Sequence, residues 1–336
     1  MTSPVARFLP VFATLSAVTP ACAPEPEYPE LEFRTTCGIN CPPTNSPHIN
    51  DAPFPELSLS GQPNSAGVTL VGLSGPPGNA ALHPLVVANR DELVVLDEND
   101  DVLYSGADLV GWFVLLEKDG DTKTGQIVAY NPTEPPLDDN SRPFTTYAIA
   151  FTDASGPIVT TKNVCPTYWN EPANPVLTII AGETYDRVGK SVDLIDGDWV
   201  TFACKDEAAF KAKALGYEQN VGFAQTGAPA TRQQQDATLK MITADYCGTG
   251  FSFTEQNTSI FWGNTAGTVV PKVDPNDPDE VEGIEAVWDD EGAICLTTPR
   301  KGDVADVQAE CPVPIPDCAN VNWANMSHEW VTWKPL

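Results

Sequence analysis

Tyr147-Ala-Ile-Ala-Phe151-Thr-Asp153-Ala-Ser-Gly156-Pro-Ile158-Val-Thr-Thr161 sets the class of fold. Two short apolar runs, Tyr147–Phe151 and Ile158–Thr161, flank Asp153-Ala-Ser-Gly156, an arrangement that predicts a β-hairpin. The same pattern extends upstream through Val68–Leu73, Leu85–Val87, Leu93–Leu96, Val102–Tyr104, Trp112–Leu116 and Ile127–Tyr130. Turn signals separate these runs at Gly75-Pro-Pro-Gly78, Asn99-Asp-Asp101 and Asp119-Gly-Asp121. Val176–Ile180 and Trp199–Phe202 continue the series downstream. Strands spaced by turns, with no helical period between them, predict a mainly β fold, an antiparallel sandwich or barrel.

After Cys204 the pattern changes. Asp206-Glu-Ala-Ala-Phe-Lys-Ala-Lys-Ala-Leu215 predicts a helix with acidic residues in its first turn and Gly216 at its end. Gln233–Ala244 predicts a second, with Leu239 and Ile242 on one face. Ile260–Trp262, Ile284–Val287 and Ala293–Leu296 are expected strands, and Pro271–Glu282 a loop. The result is a smaller α+β, disulfide-stapled C-terminal segment. The expected partition is a signal peptide over 1–21 and a Pro-rich acidic tether over 22–56. A β-rich domain over 57–197, an α+β segment over 198–318 and a Trp-rich tail over 319–336 follow.

The chain has 336 residues, enough for one large domain or two ordinary ones. With 46 acidic residues against 18 basic, its net charge is −28. That field repels nucleic acid, whose binding needs Lys and Arg on phosphates, and opposes adsorption to anionic headgroups. No nucleic-acid partner is expected.

The amino terminus is an address. Arg7 precedes the apolar run Phe8–Val18, and Thr19-Pro-Ala-Cys22 follows with small residues before a cut, the layout of a secretory signal. The run is too short to cross a bilayer, which needs about twenty residues. Ala21-Cys22 is what a lipoprotein peptidase accepts, with Cys22 becoming the lipidated first residue and the membrane partner held through that lipid. Thr19 stands where Leu is usual, and ordinary cleavage near Ala21 or Ala23 is the alternative. Parity favours lipidation. Of nine cysteines, removing Cys22 leaves eight: Cys37, Cys41, Cys165, Cys204, Cys247, Cys295, Cys311 and Cys318.

An exported chain meets an oxidising milieu, where such cysteines form disulfides rather than zinc knuckles. The spacings Cys37-x3-Cys41 and Cys311-x6-Cys318 also lack neighbouring histidine. Eight cysteines allow 105 pairings. Short-range closure would give Cys37–Cys41, Cys165–Cys204, Cys247–Cys295 and Cys311–Cys318.

Ala244-Asp245-Tyr246-Cys247-Gly248 is similar to the signature of the ADYC domain family, which groups predicted secreted proteins and lipoproteins. Val200-Thr-Phe-Ala-Cys204 before a helix ending Leu-Gly-Tyr217 agrees with that resemblance. So do Met241 in the next helix, Ala286-Val-Trp-Asp-Asp-Glu-Gly-Ala-Ile-Cys295 and Cys311-Pro312. The resemblance covers roughly 145–318, and from 108 at its widest. Where the family often carries a Cys in each helix, this chain has Ala212 and Thr238, as if one disulfide were lost. The resemblance implies a location and a fold but no reaction. Within the motif, Gly248 is expected to take the left-handed conformation that stops the helix. Asp245 is expected to accept loop amides, Tyr246 to bury its ring, and Cys247 to anchor the end.

No catalytic constellation stands out. A Cys247 nucleophile would need a free sulfur and a nearby base, and parity argues that it is oxidised. Gly72-Leu-Ser74-Gly75 is not the serine-hydrolase elbow. Calcium is the one weak cofactor candidate. Asp274, Asn276 and Glu285 fall at the first, third and twelfth places of an EF-hand-like loop, but Asp279 stands where that loop needs Gly. Trp323, Trp330 and Trp333 crowd an otherwise irregular tail, expected to dock on the body or to face a protein or glycan partner. The expected function is a cell-envelope lipoprotein, a surface-displayed binding or structural module without catalysis. It would sit at the outer membrane or cell surface, or else be periplasmic or secreted. The alternative is a secreted envelope hydrolase.

Overall fold

The computed structural model describes residues 45–336 except 77, 79–80, 89–90, 138–140, 154–159, 167–175, 219–227, 256–257, 272–273 and 278–280. Cys22, Cys37, Cys41, the signal segment, most of the tether and Trp169 therefore lie outside the described residues.

In chain order the strands begin with β1 Glu56–Ser58, β2 Val68–Ser74, β3 Leu82–His83, β4 Val86–Ala88, β5 Glu92–Leu96 and β6 Val102–Ser105. β7 Phe113–Lys118, β8 Asp121–Glu134, β9 Phe144–Asp153, β10 Thr160–Asn163, β11 Leu177–Asp186 and β12 Ser191–Cys204 follow. Helices α1 Ala208–Ala214 and α2 Arg232–Thr243 come next, then β13 Phe261–Asn264, β14 Val281–Asp289 and β15 Gly292–Leu296. Helix α3 Val304–Glu310 and β16 Trp330–Pro335 complete the series.

Among the described residues every strand pair is antiparallel, and no barrel closes. The large sheet runs β1-β12-β11-β9-β8-β7-β2-β3, with β10 paired to β9 as the expected hairpin. A four-stranded sheet has the order β13-β16-β14-β15, and a three-stranded one β4-β5-β6. Period-two alternation puts β11 and β12 into two cores at once. Ile179, Phe202 and Cys204 enter a cluster shared with Leu93 and Val95 of β5. Ile180 and Ala203 enter another, shared with α1, α2, Trp288 and Trp330. The helices thus lie between the large and the four-stranded sheets. Each fully buried Leu, Ile or Phe contributes about 1.5–3 kcal/mol.

Four expectations need correction. The folded body starts before Leu57: Ile49, Ala52 and Phe54 are core residues, and Asn50 donates to the Phe202 carbonyl at 2.8 Å. A domain boundary at 197/198 would cut β12, which is continuous through Cys204. The tail is not irregular at its end. β16 is an inner strand of the four-stranded sheet and Trp330 is fully buried, because its indole N–H finds the Thr238 hydroxyl at 2.9 Å. In α1 the acidic pair precedes the helix: Asp206 has φ 72° and Glu207 is the N-cap, its carboxylate accepting the Asp51 amide at 3.0 Å.

The disulfides Cys165–Cys204, Cys247–Cys311 and Cys295–Cys318 are formed. The first is as expected; Cys247–Cys295 and Cys311–Cys318 are not. Cys295 lies in the cluster on the outer side of the four-stranded sheet with Val287 and Val331. Cys247 packs against the inner, helix-side cluster, with the sheet between the two sulfurs.

Candidate functional site

The motif Ala244-Asp245-Tyr246-Cys247 sits at the end of α2. That helix starts in a capping box, Thr231 accepting the Gln234 amide at 3.2 Å and Gln234 accepting the Thr231 amide at 3.0 Å. It ends on Ala244, whose backbone is left-handed at φ 53°, ψ 43°. The Asp245 amide reaches back to the Lys240 carbonyl at 3.0 Å and the Ala244 amide to Met241 at 3.3 Å, closing a Schellman turn. Gly248 is left-handed as expected, at φ 67°, but the residue that stops the helix is Ala244, at a cost on the order of 1 kcal/mol for a left-handed residue with a Cβ. Gly248 is needed for another reason: a Cβ there would lie 1.9 Å from the Glu291 carbonyl oxygen.

Asp245 is fully buried and its carboxylate accepts the Thr249 amide at 3.0 Å and the Gly250 amide at 2.8 Å. Lys240 Nζ lies 3.4 Å away. The ring of Tyr246 stacks on Trp288, centroids 5.0 Å apart at 23°. Its hydroxyl donates to Glu285 and accepts the Arg300 amide at 2.9 Å. Burial, with the Glu285 carboxylate second, holds that hydroxyl well above its ordinary pKa, so it stays a donor. Arg300 donates to Glu285 at 2.7 Å and to Asn45 at 2.8 Å, with its guanidinium 5.4 Å from the Trp288 ring. Cys247 is bonded to Cys311. Asp245, Tyr246 and Cys247 are each occupied by a partner inside the fold.

The loop so fixed carries a neighbour. A Cβ on Gly250 would lie 2.0 Å from the Val188 carbonyl oxygen, so the loop presses against the turn between β11 and β12. Lys240 donates to Gly189 at 3.1 Å, Lys190 to the Pro47 carbonyl at 2.9 Å, and Asp236 accepts the Val192 amide at 2.7 Å. Beside this turn opens a groove of ≈ 480 Å³, lined by Tyr185, Asp186, Arg187, Asp193 and Trp199 among others. Two aromatic side chains, Tyr185 and Trp199, with carboxylates and one guanidinium at hand suit a polar ligand that makes several directed hydrogen bonds.

The calcium candidates are not brought together. Glu285 is fully buried on Arg300 and Tyr246. Asp274 and Asn276 are exposed, and Asp274 Oδ1 accepts the Asn276 amide at 2.9 Å in a local turn. Asp245, Tyr246 and Cys247 were visible as a motif. Arg300 was not, because its partner Asn45 is 255 residues away and no spacing links them.

The ADYC domain model matches residues 106–302. No curated protein and no solved structure matches the chain. The matched span contains β7 through β15 with α1 and α2, takes in the whole Tyr246–Glu285–Arg300 cluster, and covers more than half of the sequence. The chain belongs to the ADYC domain family.

Proposed function

We propose that this protein is an exported lipoprotein, anchored through Cys22, that displays a disulfide-tied binding module and catalyses no reaction with its signature residues. The observation that carries the reading is the occupation of the motif. Asp245 is spent on loop amides, Tyr246 on Glu285 and Arg300, and Cys247 on Cys311. A catalytic motif keeps at least one such group facing a substrate space. The groove beside the β11–β12 turn is the surface offered to a partner, protein or glycan, and the motif fixes its border. Three disulfides suit an oxidising compartment and contribute about 2–4 kcal/mol each.

Anchoring is tested by expressing the full chain and its Cys22→Ser variant in a bacterial host fed a labelled fatty acid. The proposal expects label and membrane partition for the first and neither for the second. Equal partition of both contradicts it. The architectural role is tested with Tyr246→Phe, which should lower the urea midpoint through about 1–3 kcal/mol of stranded buried polar groups. Unchanged stability would make the hydroxyl a candidate reactive group again.

A further inference from the structure

Helix α1 is buried on all sides, and Lys213 within it is placed as few lysines are. Its side chain is 2% exposed. Nζ lies 3.3 Å from Asp91 Oδ2 and 3.1 Å from the Ile179 carbonyl oxygen, and donates directly to Glu218. The side chains of Asp91 and Glu218 are 12% and 8% exposed. The Phe144 ring stands 5.8 Å from Nζ and itself packs edge-on against Phe210 at 5.3 Å. Asp91 Oδ2 also accepts the Thr145 amide at 3.0 Å. An amine, a carboxyl carbon and a second carboxyl therefore share a largely water-excluded, aromatic-walled site, with a backbone N–H already fixed on the oxygen that would carry developing charge.

We propose that Lys213 and Asp91 become joined by an intramolecular amide bond, formed by the protein itself with Glu218 as the proton shuttle. The inference goes beyond the display function and does not rest on it.

The step balances without any oxidant, reductant or co-reactant. Burial pushes the Glu218 carboxyl up to about 7, against the pull of Lys213, so the trio carries an extra proton near neutrality. Glu183 is the next carboxylate facing the group, held by Tyr185 and Gln235 at 2.8 Å each. Passing a proton from the Lys213 ammonium to Asp91 gives one amine and two carboxylic acids, the set from which the attack proceeds. Nζ then attacks Asp91 Cγ. The Thr145 amide stabilises the oxyanion, and Glu218 accepts a proton from Nζ while giving its own to the departing hydroxyl. The Nζ–Cγ bond forms, the Cγ–O bond breaks, and one water leaves. Preorganisation helps: Nζ is held 3.3 Å from Asp91 Oδ2, one bond away from the carbon it attacks, and such fixed proximity is what intramolecular reactions gain from. The product ties the start of β5 to α1, and unlike a disulfide it survives reduction.

The test is mass spectrometry of the full-length protein after denaturation, reduction, alkylation and digestion. The proposal expects a branched peptide joining the Asp91 and Lys213 segments, lighter by one water than the two separate peptides, with Lys213 resistant to trypsin. Glu218→Gln retains both reacting groups and should reduce the branched fraction at least tenfold; Asp91→Ala should abolish it. Linear peptides with an unmodified Lys213 in the wild type overturn the proposal whatever the variants do. A branch through Glu218 in place of Asp91 also overturns it. If a variant fails to fold, the wild-type peptide map is decisive by itself.

Discussion

On the side of the large sheet that meets β4–β6, Leu57, Leu73, Val114, Ile127, Ile149, Leu177 and Phe202 pack against Leu93, Val95 and Leu109. Tyr147, whose hydroxyl accepts the Leu93 amide at 2.8 Å, is a polar handle there. On the helix side, ions are buried among the apolar residues: Lys213 with Asp91 and Glu218, Lys240 with Asp245, and Arg300 with Glu285. The difference lies in what each side must specify. Interdigitating aliphatics hold two sheets together but tolerate rearrangement. The helix side has to orient loops at fixed angles, and directional, charge-assisted bonds do that where packing alone does not.

The largest effect is expected at Arg300. Arg300→Met leaves Glu285 charged inside a dry core and should cost about 3–5 kcal/mol, read from the urea midpoint. A loss below about 1 kcal/mol would mean that the ion pair is dispensable and that the two sides differ less than their charges suggest.

The helix side should also respond to pH where the aliphatic side does not. Desolvation raises the Glu218 pKa from 4.5 to about 7, so the folded state binds a proton that the unfolded chain has released. Stability from this group is complete below pH 4.5 and is lost as pH rises through about 7. Asp236 and Glu329 are raised by burial too and act in the same direction. Forming the amide removes the cation facing Glu218 and leaves that sign unchanged. Urea midpoints at pH 5 and pH 8 should therefore fall with pH, with a shallower slope in Glu218→Gln. An identical slope in the two proteins would place the titration elsewhere.

The smallest effect belongs to the apolar side. Ile127→Val, at a fully buried residue of that side, should cost about 0.5–1.5 kcal/mol and leave the pH slope as it is. A changed slope would show the two cores to be coupled.

This asymmetry also explains what was legible in the sequence. The apolar runs Tyr147–Phe151 and Trp199–Phe202, bounded by turn signals, revealed the strands because that signal is contained in a few consecutive residues. The Asp245-Tyr246-Cys247 motif was readable for the same reason. Pairings between distant segments were not. Nothing near Cys247 announces Cys311, and nothing near Arg300 announces Asn45. The strand at Trp330–Pro335 was missed because its pattern is that of a strand buried in the middle of a sheet, with no polar alternation. Ala244 as helix stop was missed because a left-handed alanine contradicts local preference and is imposed by the surrounding bonds.

That the motif props up the β11–β12 turn bordering the groove is open to a direct test by backbone hydrogen exchange in wild type and Asp245→Asn. Faster exchange is expected at Thr249 and Gly250 and through Asp186–Val192, with β7 and β8 unchanged. Unaltered protection across Asp186–Val192, in a variant whose Thr249 and Gly250 amides have been released, would contradict that role.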